Sequence, residues 1–331
     1  MHRFPHLTYH LRLAGMAALW GASWPCGRVL AQAMPPLAAA AIRFMLAALV
    51  LLPWLYYSGG MARIKGWDMR RWAGMAVAGA TGVFGYSMFF MLGLQHVPAG
   101  KAALVVTLNP VLTFLLAAWL FREKLNRTIA AGMVLAAAGA AVVMARGSPL
   151  QLLQGALGIG EWLLLGCVVS WVAYTLIGRW VLTGVDALTT TAVTATLGAA
   201  MLVAASLAVE GPAAFGAALQ APAQAWGALL FLAWGATALA YAWYFDGVKA
   251  LGAGAAASYI TLVPVFGVFF SALWLGEGLT GPMALGGAMA VGGMAIMSAG
   301  RRGGPSPAPA SQALQQPPQP PQPQQTRQGR A

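Results

Sequence analysis

Long apolar runs, separated by short polar or basic breaks, recur along almost the whole chain. Ten of them span 11–31, 37–57, 71–94, 100–121, 127–145, 157–180, 187–209, 225–248, 253–275 and 281–299. Each is close to the length that a helix, rising about 1.5 Å per residue, needs to cross a hydrocarbon core about 30 Å thick. The runs are apolar on every side and rich in Ala, Leu, Met and Gly. Barrel strands would instead alternate over segments of about ten residues. The pattern predicts an all-α polytopic membrane protein with ten transmembrane helices. The first run follows Arg3, His6 and Arg12, as a signal peptide would, but it is longer than the usual apolar core of one and Trp20-Gly21-Ala22-Ser23-Trp24 is a poor cleavage context. It is therefore predicted to remain as a helix.

The runs are organised by a repeat. Pro110 lies inside one apolar run and Glu123 follows thirteen residues later; Pro264 and Glu277 repeat that spacing. An aromatic segment precedes each copy, Tyr86–Phe90 and Tyr241–Phe245, and a small-residue run follows each. Two halves, 11–145 and 157–299, are thus joined end to end. Five helices per half is an odd number, so the second half runs through the membrane upside down. Inverted repeats of this kind are a recurrent design of secondary transporters, with the solute near the midplane between the halves.

Charge changes the picture only by orienting it. Charged residues are 8% of the 331 and hydrophobic ones 60%, against about 25% charged in soluble domains. The net charge of +12 would suit a nucleic-acid partner, but its placement argues against one. With the N-terminus inside, fifteen of the nineteen basic residues fall on the cytoplasmic side, including Arg63, Lys65, Arg70, Arg71, Arg122, Lys124 and Arg127. That is the retention rule for basic loops, and it predicts cytoplasmic termini. Arg28, Arg43, Lys101 and Arg146 are left to the opposite side or to helix interiors. Residues 303–331, rich in Pro and Gln, lack the apolar surface to offset ordering and are predicted to be a disordered tail. Cys26 and Cys167 read as small core hydrophobes. No phosphate-cradling glycine loop with a lysine is present, and His2, His6, His10 and His96 have no carboxylate motif beside them. Catalytic, metal and cofactor sites are therefore not expected.

Several short motifs match a known pattern. They are Leu19-Trp20-Gly21-Ala22-Ser23, Ile42-Arg43-Phe44, Gly93-Leu94-Gln95, Ala99-Gly100-Lys101-Ala102-Ala103-Leu104, Asn109-Pro110 and Glu123-Lys124-Leu125 in the first half. Tyr241 to Phe245, Ala250-Leu251-Gly252-Ala253, Pro264 and Gly276-Glu277-Gly278-Leu279-Thr280 follow in the second. In this order the chain resembles the drug/metabolite transporter superfamily, in its ten-helix EamA-like branch, over roughly residues 11–299. The resemblance implies secondary export of small metabolites, amino acids or drugs across a bacterial inner membrane, without naming the solute. Asp246, where the family usually has a neutral residue, and the long tail depart from the pattern.

Candidate working residues follow from what is unusual inside lipid. Pro110 and Pro264 each lack an amide hydrogen and crowd the carbonyl four residues earlier, Val106 and Ile260. Both helices should therefore bend and expose a polar backbone group, which lipid confines to the bundle interior. Asn109 adds a hydrogen-bonding side chain there. Trp20, Trp24, Tyr86, Phe90, Trp171, Tyr174, Tyr241 and Tyr244 lie near the midplane. Rings with polar tips suit the wall of a cavity for a small organic solute. Arg43 either neutralises a carboxylate on the solute or snorkels to the interface. Asp246 and Glu161 are candidates for proton coupling, with Asp246 also spaced to pair with Lys249 one turn on. Glu123 and Glu277, at helix ends, read as structural. Ala136 with Ala140, and Ala288 with Gly292, permit close helix packing, either within one chain or in a homodimer. Uptake rather than export stays open, as does movement without a coupled proton; the alternative from another class is a non-transporting membrane receptor or scaffold.

Overall fold

The computed structural model describes residues 7–122, 125–145, 147, 157–181 and 184–302. Glu123, Arg146 and the 303–331 tail lie outside these. Among the described residues, ten long helices carry the fold: α1 (Leu7–Ala33), α2 (Pro36–Tyr57), α3 (Met69–His96), α4 (Ala99–Phe121), α5 (Arg127–Met144), α6 (Ile159–Val181), α7 (Ala187–Val209), α8 (Ala223–Leu251), α9 (Gly254–Leu275) and α10 (Gly281–Arg302). Among the described residues, the helices long and apolar enough to cross a membrane are α2 to α10. The remaining helix, α1, is less apolar although it is 27 residues long. Its neighbours explain this: it packs against α3, α4, α8 and α9, so protein rather than lipid covers much of its surface.

Helix starts are fixed by capping. Asp68 accepts from the Arg71 amide, Asn126 from that of Ile129 and Asp186 from that of Thr189, each meeting one of the orphan donors of a first turn. The polar cap at Asp68 begins α3 two residues before the expected 71. Two starts are capped from a distance. The Glu210 carboxylate, at the end of α7, accepts from the Leu37 and Ala38 amides at 2.8 Å each. Glu277, just after α9, does the same for Ala99 and Gly100 at 2.8 Å each. Both caps cross from the second half to the first. They lie on one face of the bundle, termed here the Glu277 face; the opposite face carries Asp68, Asp186 and Asp246.

Packing follows the inverted repeat. In the first half α1 packs on α8 and α9; in the second, α6 packs on α3 and α4. The helices α2 with α7, and α5 with α10, pair with their own counterparts, as elements on a two-fold axis must. The α5–α10 seam is the tightest: a methyl on Gly132 would stand 2.6 Å from the Gly293 carbonyl oxygen, and one on Gly286 2.6 Å from that of Gly139. Only glycine permits backbones this close. The seam is therefore intramolecular. Ala136 and Ala140 lie in it, fully buried, but Ala288 is exposed and Gly292 meets only the tip of Leu135. The expected Ala288/Gly292 pair is one register off; Gly286, Ala290 and Gly293 face α5 instead, because 3.6 residues per turn turns that pair away from the seam.

Both α4 and α9 are interrupted just before their prolines, at Val106–Thr107 and Thr261–Leu262. The expected exposed carbonyl at Val106 needs correcting. The chain tightens into three-residue turns before each proline, so the Asn109 amide donates to the Val106 oxygen at 3.0 Å. Thr107 and Thr261, in equivalent repeat positions, donate their hydroxyls to the Leu104 and Ser258 carbonyls at 2.6 and 2.7 Å. The carbonyl freed at the α4 break is thus satisfied locally, as a lipid environment demands.

Candidate substrate cavity

The eight aromatic residues singled out above converge. Trp20 of α1 meets Tyr241 of α8 with ring centroids 5.2 Å apart, and Trp171 of α6 meets Tyr86 of α3 at 5.4 Å. These contacts are two-fold images of one another, each joining one half to the other. Trp24 and Phe90 extend the Tyr86–Trp171 cluster, with Trp24–Phe90 at 5.2 Å and Phe90–Tyr86 at 6.0 Å, and Trp171 leads on to Tyr174 at 5.7 Å. Tyr244 joins Trp20 at 5.7 Å, and Tyr174 and Tyr241 lie within electrostatic range of each other. Tyr86 and Tyr241 are enclosed by the bundle yet keep some accessible surface.

Backbone geometry aims these rings. The segments Ala80–Gly85 and Phe231–Leu239, immediately before Tyr86 and before Tyr241, are π-helical. A π-turn shifts the helical register by a residue and frees carbonyls, which is why it collects at functional sites. The Thr237 hydroxyl donates to the Leu232 carbonyl five residues back at 2.9 Å, and the Trp20 indole donates to the Ala236 carbonyl at 2.9 Å. Sequence reading missed both segments. Their signals were a helix-interior glycine and threonine in each copy, Thr81 with Gly82 and Gly235 with Thr237.

Arg43, on α2, points inward. Its guanidinium lies within electrostatic range of the Tyr86 and Tyr241 hydroxyls and 4.9 Å from the centre of the Phe44 ring. Tyr86 lies ten residues from the end of α3 on one face, and Tyr241 ten from the end of α8 on the other, so Arg43 reaches mid-bundle instead of snorkelling. Pro264 is buried. Beyond it Phe266 packs on Gly21 and Gly267 on the Trp24 edge, seating the α9 restart against the aromatic array. Asn109 carries a buried Oδ1 without a partner; no described contact joins it or Pro110 to the array.

The acids sit elsewhere. Asp246 pairs with Arg12 of α1 at 2.9 Å, not with Lys249, because the helix–helix contact of α1 and α8 brings a long side chain directly opposite. Lys249 instead shares with Asp246, Arg12 and Tyr9 the lining of a cavity of about 450 Å³. Glu161 is buried against Lys101 of α4 at 2.5 Å, an α4–α6 ion pair that sequence spacing could not reveal. Arg28 is the main residue missed: it donates to the Leu94 and Val97 carbonyls at the end of α3, at 2.8 and 2.5 Å, with Glu277 3.5 Å from its Nε. Its only signal was a charge inside an apolar run, shared with Arg179 of the second half.

The two faces are not alike. On the Glu277 face every residue of Ala99–Val105, the first part of α4, is buried. On the opposite face the matching part of α9 is open: of residues 254–260 only Ala256 is buried, and a methyl on Gly254 would meet nothing within 4 Å.

This ten-helix, two-fold arrangement has relatives. Residues 8–145 and 158–299 each match the EamA-like transporter family. The chain belongs to that family. It is 30% identical over 267 residues to the uncharacterized transporter YyaM of Bacillus subtilis, covering 80% of this chain and 86% of that one. It is 26% identical to an uncharacterized transporter of Archaeoglobus fulgidus, across 88% of this chain and 97% of the relative. A "probable terminal-alkyne amino-acid exporter" of Streptantibioticus cattleyicolor is 27% identical over 68% of this chain and 72% of its own. A solved crystal structure shares the fold with a TM-score of 0.55 and 24% identity, over 88% of this chain and 97% of that chain. As an EamA-like protein the chain is a multi-pass membrane transporter and not an enzyme.

Proposed function

We propose that this EamA-like protein exports small organic solutes across a bacterial inner membrane by alternating access, with its termini cytoplasmic. The observation that carries this reading is the pair of cross-repeat contacts, Trp20–Tyr241 and Trp171–Tyr86. They build one internal wall from both halves, so rocking the halves moves the wall from one face to the other. Trp24, Phe90, Tyr174 and Tyr244 extend that wall, and Asn109, Pro110 and Pro264 belong to the breaks at which α4 and α9 pivot. The unequal faces support the cycle: the Glu277 face is closed by α4, while the Asp246 face is looser around α9. The basic-loop rule makes the looser face cytoplasmic, a conformer ready to load from inside. The exporter from S. cattleyicolor favours the outward direction. Proton coupling would fall to Glu161 or Asp246, whose pairs with Lys101 and Arg12 join the two halves and would have to part.

Flux into liposomes containing the purified protein tests this reading, using amino acids, organic acids and cationic drugs with and without a pH gradient. Transport of one class, lost in Tyr86→Ala and in Tyr241→Ala proteins that remain folded, is the expected outcome. Unchanged flux in both variants would refute the cavity.

A further inference from the structure

The chain holds seven acidic residues, and six are described. Asp68 caps α3. Asp186 caps α7 and pairs with Arg63. Glu210 caps α2, Glu277 caps α4, Glu161 holds Lys101 and Asp246 holds Arg12. None faces Arg43. The Arg43 guanidinium makes no hydrogen bond or ion pair with any described residue, and its Nε is buried without a partner. The centre of the Phe44 ring lies 4.9 Å from the guanidinium, and the Tyr86 and Tyr241 hydroxyls lie within electrostatic range. Those groups orient a cation but do not neutralise it. A guanidinium cannot shed its charge, and a bare one at this depth is costly.

We infer that Arg43 is the anion anchor of the cavity, and that the exported solute carries a carboxylate. Resting on the proposed transport reading, this names the class of solute: a monocarboxylate with an apolar or aromatic body, amino acids included. A guanidinium fork matches a carboxylate with two parallel N–H···O bonds. The tyrosine hydroxyls can donate to the same oxygens, and the Trp20, Trp24 and Phe90 rings receive the apolar remainder. Arg43 belongs to α2 of the first half, whereas Tyr241 belongs to the second. A carboxylate bound between them therefore bridges the two halves that must move. Its charge is also cancelled before crossing the low-dielectric midplane.

A panel of simple carboxylates tests the anchor while the natural solute is unidentified. Purified full-length protein in detergent is heated alone and with phenylacetate, L-phenylalanine, L-leucine and acetate, with phenylacetamide as the uncharged control. Arg43→Gln and Arg43→Lys are compared with the parent protein. At least one carboxylate should raise the parent Tm and the amide should not, with about tenfold to hundredfold weaker binding when the charge is removed from either partner. Ligand-free Arg43→Gln should be at least as heat-stable as the parent, because an uncompensated buried charge has gone. Arg43→Lys should keep part of the carboxylate response. A ligand-free Arg43→Gln protein that unfolds at lower temperature would make Arg43 structural and overturn the inference. So would equal responses to phenylacetate and phenylacetamide, or no response to any carboxylate. Adding Tyr241→Ala separates the two readings. If it abolishes flux of every solute while Arg43→Gln leaves carboxylate binding intact, the cavity stands and the anchor falls. If it leaves flux intact while Arg43→Gln abolishes the carboxylate response, the anchor stands and the aromatic wall falls.

Discussion

Glu277 should decide how firmly the bundle closes on its own face. Its two carboxylate oxygens each accept one amide of the α4 start, Ala99 and Gly100, and Oε1 also lies 3.5 Å from the Arg28 Nε. Glu277→Gln keeps one acceptor oxygen but turns an amide NH₂ toward the second backbone N–H. It also removes the negative charge from the helix N-terminus and from Arg28. A charge-assisted hydrogen bond contributes about 1.5–3 kcal/mol and a part-buried ion pair adds to that, so a loss of about 3 kcal/mol is expected. If these contacts exist only in the closed conformer, the closed-to-open ratio falls by about a hundredfold, at about 1.4 kcal/mol per tenfold. Ser271 reads this out: it is fully buried, beside Gly100. In a Cys26→Ser/Cys167→Ser background, Ser271→Cys should react slowly with a membrane-impermeant maleimide added on the Glu277 face. Adding Glu277→Gln should speed labelling by about tenfold to hundredfold. Unchanged labelling, with unchanged thermal stability, would refute the assignment of these contacts as a closure.

Two further outcomes rest on packing. Lys101→Met alone leaves Glu161 charged and buried and should cost about 3–5 kcal/mol, whereas Lys101→Met/Glu161→Leu should recover most of it; thermal unfolding in detergent compares them. Gly139→Leu forces a side chain into the seam where Gly286 and Gly139 backbones meet. It should destabilise by more than about 3 kcal/mol and abolish a monodisperse gel-filtration peak, while Ala288→Leu, on the exposed side of α10, should be tolerated.

Run length and the repeated proline–glutamate spacing determined most of the fold, because lipid leaves a chain few options: each backbone amide must be satisfied within its own helix. The aromatic candidates were legible for the same reason, since polar-tipped rings are conspicuous in an apolar run. What faces them was not legible. The π-helical turns before Tyr86 and Tyr241 rotate those rings by a register shift that no periodicity encodes. Partner choice was equally hidden. Asp246 reaches Arg12 and not Lys249, Glu277 reaches α4 and Arg28, and Glu161 finds Lys101. Each partner is about 60 or more residues away along the chain. A charge inside a membrane bundle pairs with whatever the crossing helices bring opposite, and only the crossing itself decides that. Arg43 is the instructive case. The sequence by itself determined that a cation enters the membrane; the tertiary structure decided that it points inward, to a place where no described carboxylate of the chain waits for it.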